Sequence, residues 1–167
     1  AAAPSGLFVT DSGGRSWNPL PGERGPGWSA GDLLAPHDGA LASQDGVAAE
    51  VRSGRISPAQ TPRFGLRGLA DIRLVPPYYG WLIGDGGLLM LTRDLGHTWQ
   101  TPPATPPANV SGQFDFRALA VRGTRVWIAG SPGTRVLFTP DAGMSWQTFN
   151  TGQTAPFSRR SKVRGSV

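Results

Sequence analysis

Apolar residues enter this chain in short runs, each followed by an Asp/Gly turn and then a tryptophan. The clearest runs are Leu7-Phe8-Val9, Leu88-Leu89-Met90-Leu91 and Val136-Leu137-Phe138. Runs this short, bounded by turn residues, predict β-strands, and helical periodicity of any useful length is absent. After each run comes the same eight-residue device. Its copies are Thr10-Asp11-Ser12-Gly13-Gly14-Arg15-Ser16-Trp17, Thr92-Arg93-Asp94-Leu95-Gly96-His97-Thr98-Trp99 and Thr139-Pro140-Asp141-Ala142-Gly143-Met144-Ser145-Trp146. The frame is Thr-x-Asp-x-Gly-x-Ser/Thr-Trp, with Ser12 in the Asp position of the first copy.

The device is a turn by its chemistry. An Asp side chain accepts hydrogen bonds from amides further along the turn, and Gly supplies a positive φ. The Ser/Thr and Trp that follow favour a returning strand. Each run, turn and Trp therefore predicts a β-hairpin. A box Trp offers about 150–250 Å² for burial, so truncation to Ala is expected to cost roughly 3–5 kcal/mol. The candidate structural residues are Thr10, Ser12, Gly14 and Trp17, then Thr92, Asp94, Gly96 and Trp99, then Thr139, Asp141, Gly143 and Trp146. Ser12 is expected to make the first hairpin the weakest, because a neutral acceptor is weaker than a charged one.

A second signature precedes two of the boxes. Trp81-Leu82-Ile83-Gly84 and Trp127-Ile128-Ala129-Gly130 both read Trp-x-x-Gly, and residues 67–73 parallel residues 117–122. The unit is thus four short strands in about forty to fifty residues, the blade of a β-propeller. Trp99 and Trp146 lie 47 residues apart and Trp17 and Trp99 lie 82 apart, so one worn copy belongs in the gap. Trp28-Ser29-Ala30-Gly31 with Ser43-Gln44-Asp45-Gly46 is the candidate, a Trp-x-x-Gly strand followed by a degenerate box. The six tryptophans then form two classes, box (17, 99, 146) and strand (28, 81, 127), and none is left for a stacking platform.

The boxes resemble the Asp-box (BNR-type) repeat of the sialidase-like superfamily. Their arrangement in blades without catalytic residues resembles the photosystem II assembly and stability factor family. The resemblance runs over roughly residues 6–150 and is densest over 66–150. It implies an all-β partial propeller of about three to four four-stranded antiparallel blades. The expected divisions are residues 1–65 (a blade hairpin plus a degenerate blade), 66–105 (a blade), 106–150 (a blade) and 151–167 (a basic, disordered or truncated tail). It also implies a non-enzymatic interaction scaffold whose partner is another protein or further blades of the same propeller. The family's partner-binding basic patch has no clear equivalent among the scattered arginines. A propeller takes about four to eight blades, so the chain reads as a piece of a larger ring.

Composition sharpens this picture. Gly and Pro number 24 and 16 but cluster at turns, which favours all-β structure over disorder. The net charge of +5 comes mostly from Arg159, Arg160, Lys162 and Arg164; residues 1–150 carry twelve basic and eleven acidic groups. A nucleic-acid surface needs basic residues gathered on a folded face, so no nucleic-acid partner is expected. Cysteine is absent, excluding disulfides and thiolate metal sites. No apolar stretch is long enough for a membrane span. The Arg-dominated basic set points to a bacterial source, and export or a periplasmic address is favoured over the cytoplasm.

The alternative reading is a fragment of a secreted sialidase-like glycosidase or a carbohydrate-binding propeller. The resemblance would then require an arginine cluster, a Tyr nucleophile with Glu support and an acid/base Asp. The family's Arg-Ile-Pro start is missing, and both Glu23 and Glu50 sit in poorly patterned sequence. Tyr78 and Tyr79 fall in a turn. Asp71, Asp85 and Asp115 read as turn residues, and His97 as a solvent-facing histidine inside its box. No catalytic residue, cofactor or metal is therefore expected.

Overall fold

In the computed structural model the described residues are 2–3, 6–19, 27–35, 37–65, 67–110, 112–133 and 135–151. The expected tail and Glu23 lie outside them. The fold is all-β, built from four antiparallel sheets in which sequential strands are neighbours. The first sheet holds β1 (Ala2–Ala3), β2 (Gly6–Val9) and β3 (Asn18–Pro19). The second is a complete four-stranded meander of β4 (Trp28–Ala35), β5 (Asp38–Ser43), β6 (Ala48–Arg52) and β7 (Arg55–Pro58). The third holds β8 (Leu69–Val75), β9 (Tyr79–Gly84) and β10 (Leu89–Thr92), extended by a single bridge between Leu91 and Gln100. The fourth holds β11 (Asp115–Arg122), β12 (Arg125–Ser131), β13 (Arg135–Thr139) and β14 (Gln147–Asn150).

The sheets pack face to face in chain order, because alternate residues of each strand point to opposite faces. Trp81, Ile83, Leu89 and Leu91 meet Phe116, Val126, Ile128 and Leu137 of the fourth sheet. From the other face of the same sheet, Ile72, Leu74, Leu82 and Met90 meet Ala40, Ala42 and Ala48 of the second. A smaller cluster joins Val9 to Leu41, Ala49 and Val51. The near-continuous apolar runs of β9 and β10 follow directly: these strands are buried on both faces. The first strands β4, β8 and β11 lie side by side, and carboxylates link them. Asp32 accepts from the Leu74 amide at 2.7 Å, and Asp71 accepts from the Leu119 amide at 3.2 Å.

Several sequence expectations need correction. Trp28 lies in the first strand of its sheet, paired with Ser43, whereas Trp81 and Trp127 lie in the second strands of theirs. The counterpart of Trp81 is Ala40, which leaves Gln44-Asp45-Gly46 matching Asp85-Gly86-Gly87 rather than a box. In that sheet the box position is a tight turn at Ser53-Gly54, with φ of 49° and 76°, its Ser53 amide bonded to Asp38. The sequence misled on the strand order of this sheet because its second strand is rich in Ala and Gly instead of Trp. Residues 67–73 and 117–122 are likewise out of step: Ile72 pairs with Leu82 as Leu119 pairs with Ile128. Asp71 and Asp115 are strand residues, not turn residues.

Candidate functional site

Each box folds around its Thr hydroxyl and its Asp. Thr92 Oγ1 donates to Asp94 at 2.8 Å and accepts from the Gly96 amide at 2.9 Å. Asp94 also accepts from the Thr98 amide at 2.8 Å and the Thr98 hydroxyl at 2.6 Å. In the third box Asp141 receives the Thr139 hydroxyl at 2.8 Å and the Ser145 amide and hydroxyl at 2.8 and 2.6 Å. Ser12 reproduces the pattern with a single oxygen, 2.9 Å from both the Ser16 amide and its hydroxyl. Burial pulls the Asp94 carboxyl upward, but the Thr98 and Thr92 hydrogen bonds outweigh it and hold the group below the ordinary carboxylate value. The Ser145 hydroxyl does the same for Asp141. The residue after the box Asp, or after Ser12 in the first box, is also left-handed: Gly13, Leu95 and Ala142 have φ of 65°, 56° and 55°.

Box tryptophans close onto the box glycine and, through it, onto the preceding sheet. A β-carbon on Gly143 would meet Trp81 at 2.9 Å and Trp146 at 3.5 Å; one on Gly96 would meet Ala40 at 2.8 Å and Trp99 at 3.5 Å. Trp146 stands edge-on to Trp81, centroids 6.0 Å apart, and donates its indole N–H to the Ala104 carbonyl at 2.8 Å. The three box tryptophans differ in exposure. Trp99 is 3% exposed, Trp146 is half-buried and Trp17 is 48% exposed. Gln60 bridges in beside Trp99: the Trp99 amide donates to the Gln60 carbonyl at 2.8 Å, and the Gln60 amide donates to the His97 carbonyl at 2.8 Å.

Glu50 and His97 are corrected as well. Glu50 is a strand residue only 8% exposed, and its carboxylate holds His97 Nδ1 at 2.9 Å and Arg52 Nε at 2.7 Å. Burial works against its charge, yet the Arg52 and His97 contacts prevail and lower its pKa. This contact ties the box of the third sheet to the second sheet, so His97 is not a free surface residue. Arg117 bridges Asp85 and Asp115, the latter at 2.8 Å, across the third and fourth sheets. Both carboxylates thus have their charge engaged by one cation, an inter-sheet clamp rather than an acid/base pair. Tyr78 and Tyr79 flank the turn into β9 and are exposed. Among the described residues no His, Asp or Glu group is arranged to hold a metal.

One groove has recognition chemistry. It encloses about 380 Å³, floored by Leu88, Leu89 and Met90 and walled by Phe64, Pro62, Pro102 and Pro106. Arg63 and Arg67 stand at its rim, both exposed, and neither forms an ion pair among the described residues. Extended apolar segments with an acidic group suit such a lining: the floor takes side chains, and the guanidiniums take a carboxylate.

Residues 65–159 match the family model described as the photosynthesis system II assembly factor YCF48. The chain belongs to this family. The curated relatives include the photosystem II stability/assembly factor HCF136 of Arabidopsis thaliana, 37% identical over 82 residues, and its counterpart in Oryza sativa, 35% identical over 83. Each alignment spans 47% of this chain but only 20% and 19% of the relative, so the chain matches about a fifth of their length. Among solved structures, YCF48 bound to a D1 peptide superposes with a TM-score of 0.59 at 19% identity, over 72% of this chain and 40% of that one. YCF48 from Cyanidioschyzon merolae gives 0.55 at 17% identity, over 72% and 36%. These likenesses establish the fold, a partial β-propeller of assembly-factor type. Most of the groove, from Arg67 onward, falls inside the matched residues.

Proposed function

We propose that this family member is a non-catalytic propeller segment that assists photosystem II assembly by holding a peptide segment of a client protein. The carrying observation is that the family match covers the third sheet and the segment after it, which supply the groove's floor and its Pro102 and Pro106 wall. The D1 peptide bound to the structural relative supports a peptide client. In this reading the Arg63/Arg67 rim supplies charge selection without bond-making groups. The twelve box residues serve the hairpins and the seams between sheets. The divisions at residues 65, 105 and 150 separate those units. A partner bound this way needs no cofactor.

Isothermal titration with a D1 peptide tests the reading. Binding that weakens several-fold to about tenfold when Arg63 and Arg67 are both changed to Ala is the expected result, since an exposed charge pair contributes roughly 0.2–1 kcal/mol. Absence of binding, or binding indifferent to the double substitution, contradicts it. Turnover of a fluorogenic sialoside that is lost in Glu50→Gln would favour the glycosidase alternative instead.

A further inference from the structure

The second and fourth sheets each end in a four-residue strand, β7 and β14. Among the described residues the third sheet has no such strand. The repeat shows why. Gln100-Thr101-Pro102-Pro103 follows its box tryptophan as Gln147-Thr148-Phe149-Asn150 follows Trp146. Gln100 pairs with Leu91 as Gln147 pairs with Phe138. Two residues on, Phe149 pairs with Val136, whereas its counterpart Pro102 forms no bridge to β10. Proline has no amide to donate, so it ends a ladder. The chain is then fixed elsewhere. The Ala104 amide donates to the Gly143 carbonyl at 2.9 Å, and the Ala104 carbonyl accepts from the Trp146 indole.

Leu89 is thereby left with an open main-chain pair. In an antiparallel ladder, alternate residues turn their amide and carbonyl toward the same edge. Leu91 turns both toward Gln100, exchanging hydrogen bonds of 2.8 and 2.9 Å, so Leu89 turns both the same way. Among the described residues no group bonds to either. Leu89 is nevertheless only 5% exposed, and buried main-chain groups are nearly always paired. It lines the groove between Phe64 and the proline wall. The strand position that the chain leaves open is therefore the groove itself, with one donor and one acceptor in register.

We propose, building on the peptide-client reading above, that the bound segment completes the third sheet as its fourth strand, antiparallel to β10. Strand addition suits an extended peptide, since main-chain hydrogen bonds give affinity and side-chain pockets give specificity. The client residue opposite Leu89 donates its amide to the Leu89 carbonyl and accepts the Leu89 amide, so it is not proline. Its two neighbours place their side chains on the face of Leu88, Met90 and Phe64 and are apolar. The direction is that of β14 on β13. The downstream end of the segment then reaches Gly86, where a β-carbon would lie 3.4 Å from Arg67 Nε. The client class is an extended apolar segment with an acidic side chain downstream of the paired residue.

An ester scan of a D1 peptide, titrated calorimetrically into the full chain, tests this. Replacing one backbone amide at a time by an ester removes a single N–H. One position is expected to lose about three- to tenfold in affinity, as the loss of one hydrogen bond does, while its immediate neighbours tolerate the change. Exchange of the Leu89 amide is expected to slow about tenfold or more in the complex. Pro102→Phe combined with Pro103→Asn copies the fourth sheet's own strand. That variant is expected to protect Leu89 without peptide and to weaken peptide binding at least as much as the ester does. Peptide binding that depends on Arg63 and Arg67, with a flat scan and unchanged Leu89 exchange, overturns strand addition and leaves the groove reading standing. No binding at all overturns both. Leu89 protection that rises with protein concentration in the absence of peptide assigns the strand to a second copy and overturns the proposal. So does protection that disappears when residues 152–167 are removed, because the chain's own C-terminal segment would then be the strand.

Discussion

Gly143→Ala isolates the energy of the seam between consecutive sheets. At φ of 85°, any residue with a β-carbon is strained; a non-Gly residue held in left-handed conformation costs roughly 1–2 kcal/mol. The new methyl would also lie 2.9 Å from Trp81 and 3.1 Å from Pro102. Forcing a methyl into packed surroundings costs typically 1–3 kcal/mol, so the total is about 2–5 kcal/mol. Gly14→Ala is the matched control. Its φ is 90°, but the only neighbour within 4 Å is Trp17 at 3.9 Å, so only the conformational cost of roughly 1–2 kcal/mol applies. Urea unfolding of dilute protein, followed by tryptophan fluorescence and far-ultraviolet circular dichroism, measures both. Equal losses for Gly14→Ala and Gly143→Ala would refute the seam as described.

Four further outcomes follow from the same geometry. Acid should destabilise the boxes: the folded-state pKa values of Asp94 and Asp141 are lowered, so their stabilisation is complete above the ordinary value of about 4 and is lost as pH falls through the folded values. Asp94→Asn should flatten that acid limb in urea-midpoint measurements from neutral pH downward. Asp71 acts in the opposite sense, since burial raises its pKa; Asp71→Asn should shrink the loss of stability that accompanies its ionisation as pH rises. Ser12→Asp should slow amide exchange at Ser16, because a charged acceptor replaces a neutral one; unchanged exchange would count against the box energetics. Glu50→Ala should destabilise by about 1–3 kcal/mol in thermal unfolding, leaving His97 and Arg52 without their shared acceptor.

The box was legible in the sequence because its constraints are local. Asp94 reaches an amide four residues away, and Gly96 must have positive φ, so residue type and spacing report the turn directly. The long-range consequences were less legible. Ala40 faces the Gly96 box as Trp81 faces the Gly143 box, and an alanine in a strand carries no signature of that role. Arg52 stands two residues from Glu50, but its other partner, His97, was hidden because it is 47 residues distant and meets Glu50 only across two packed sheets. Asp71 looked like a turn former, yet its carboxylate serves the neighbouring strand. Trp127 shares its motif with Trp81, and only packing distinguishes the covered tryptophan from the exposed one. The groove was hidden for a similar reason: Arg63 and Arg67 precede a strand in the sequence, while the prolines facing them follow a box more than thirty residues later.

Hydrogen–deuterium exchange with and without a D1 peptide tests the central claim most directly, because it reports where a client sits. Protection concentrated in residues 62–67, 87–90 and 101–106, and lost in the Arg63/Arg67 double variant, is the predicted result. Protection elsewhere with those segments unchanged, or none at a saturating peptide concentration, would contradict it.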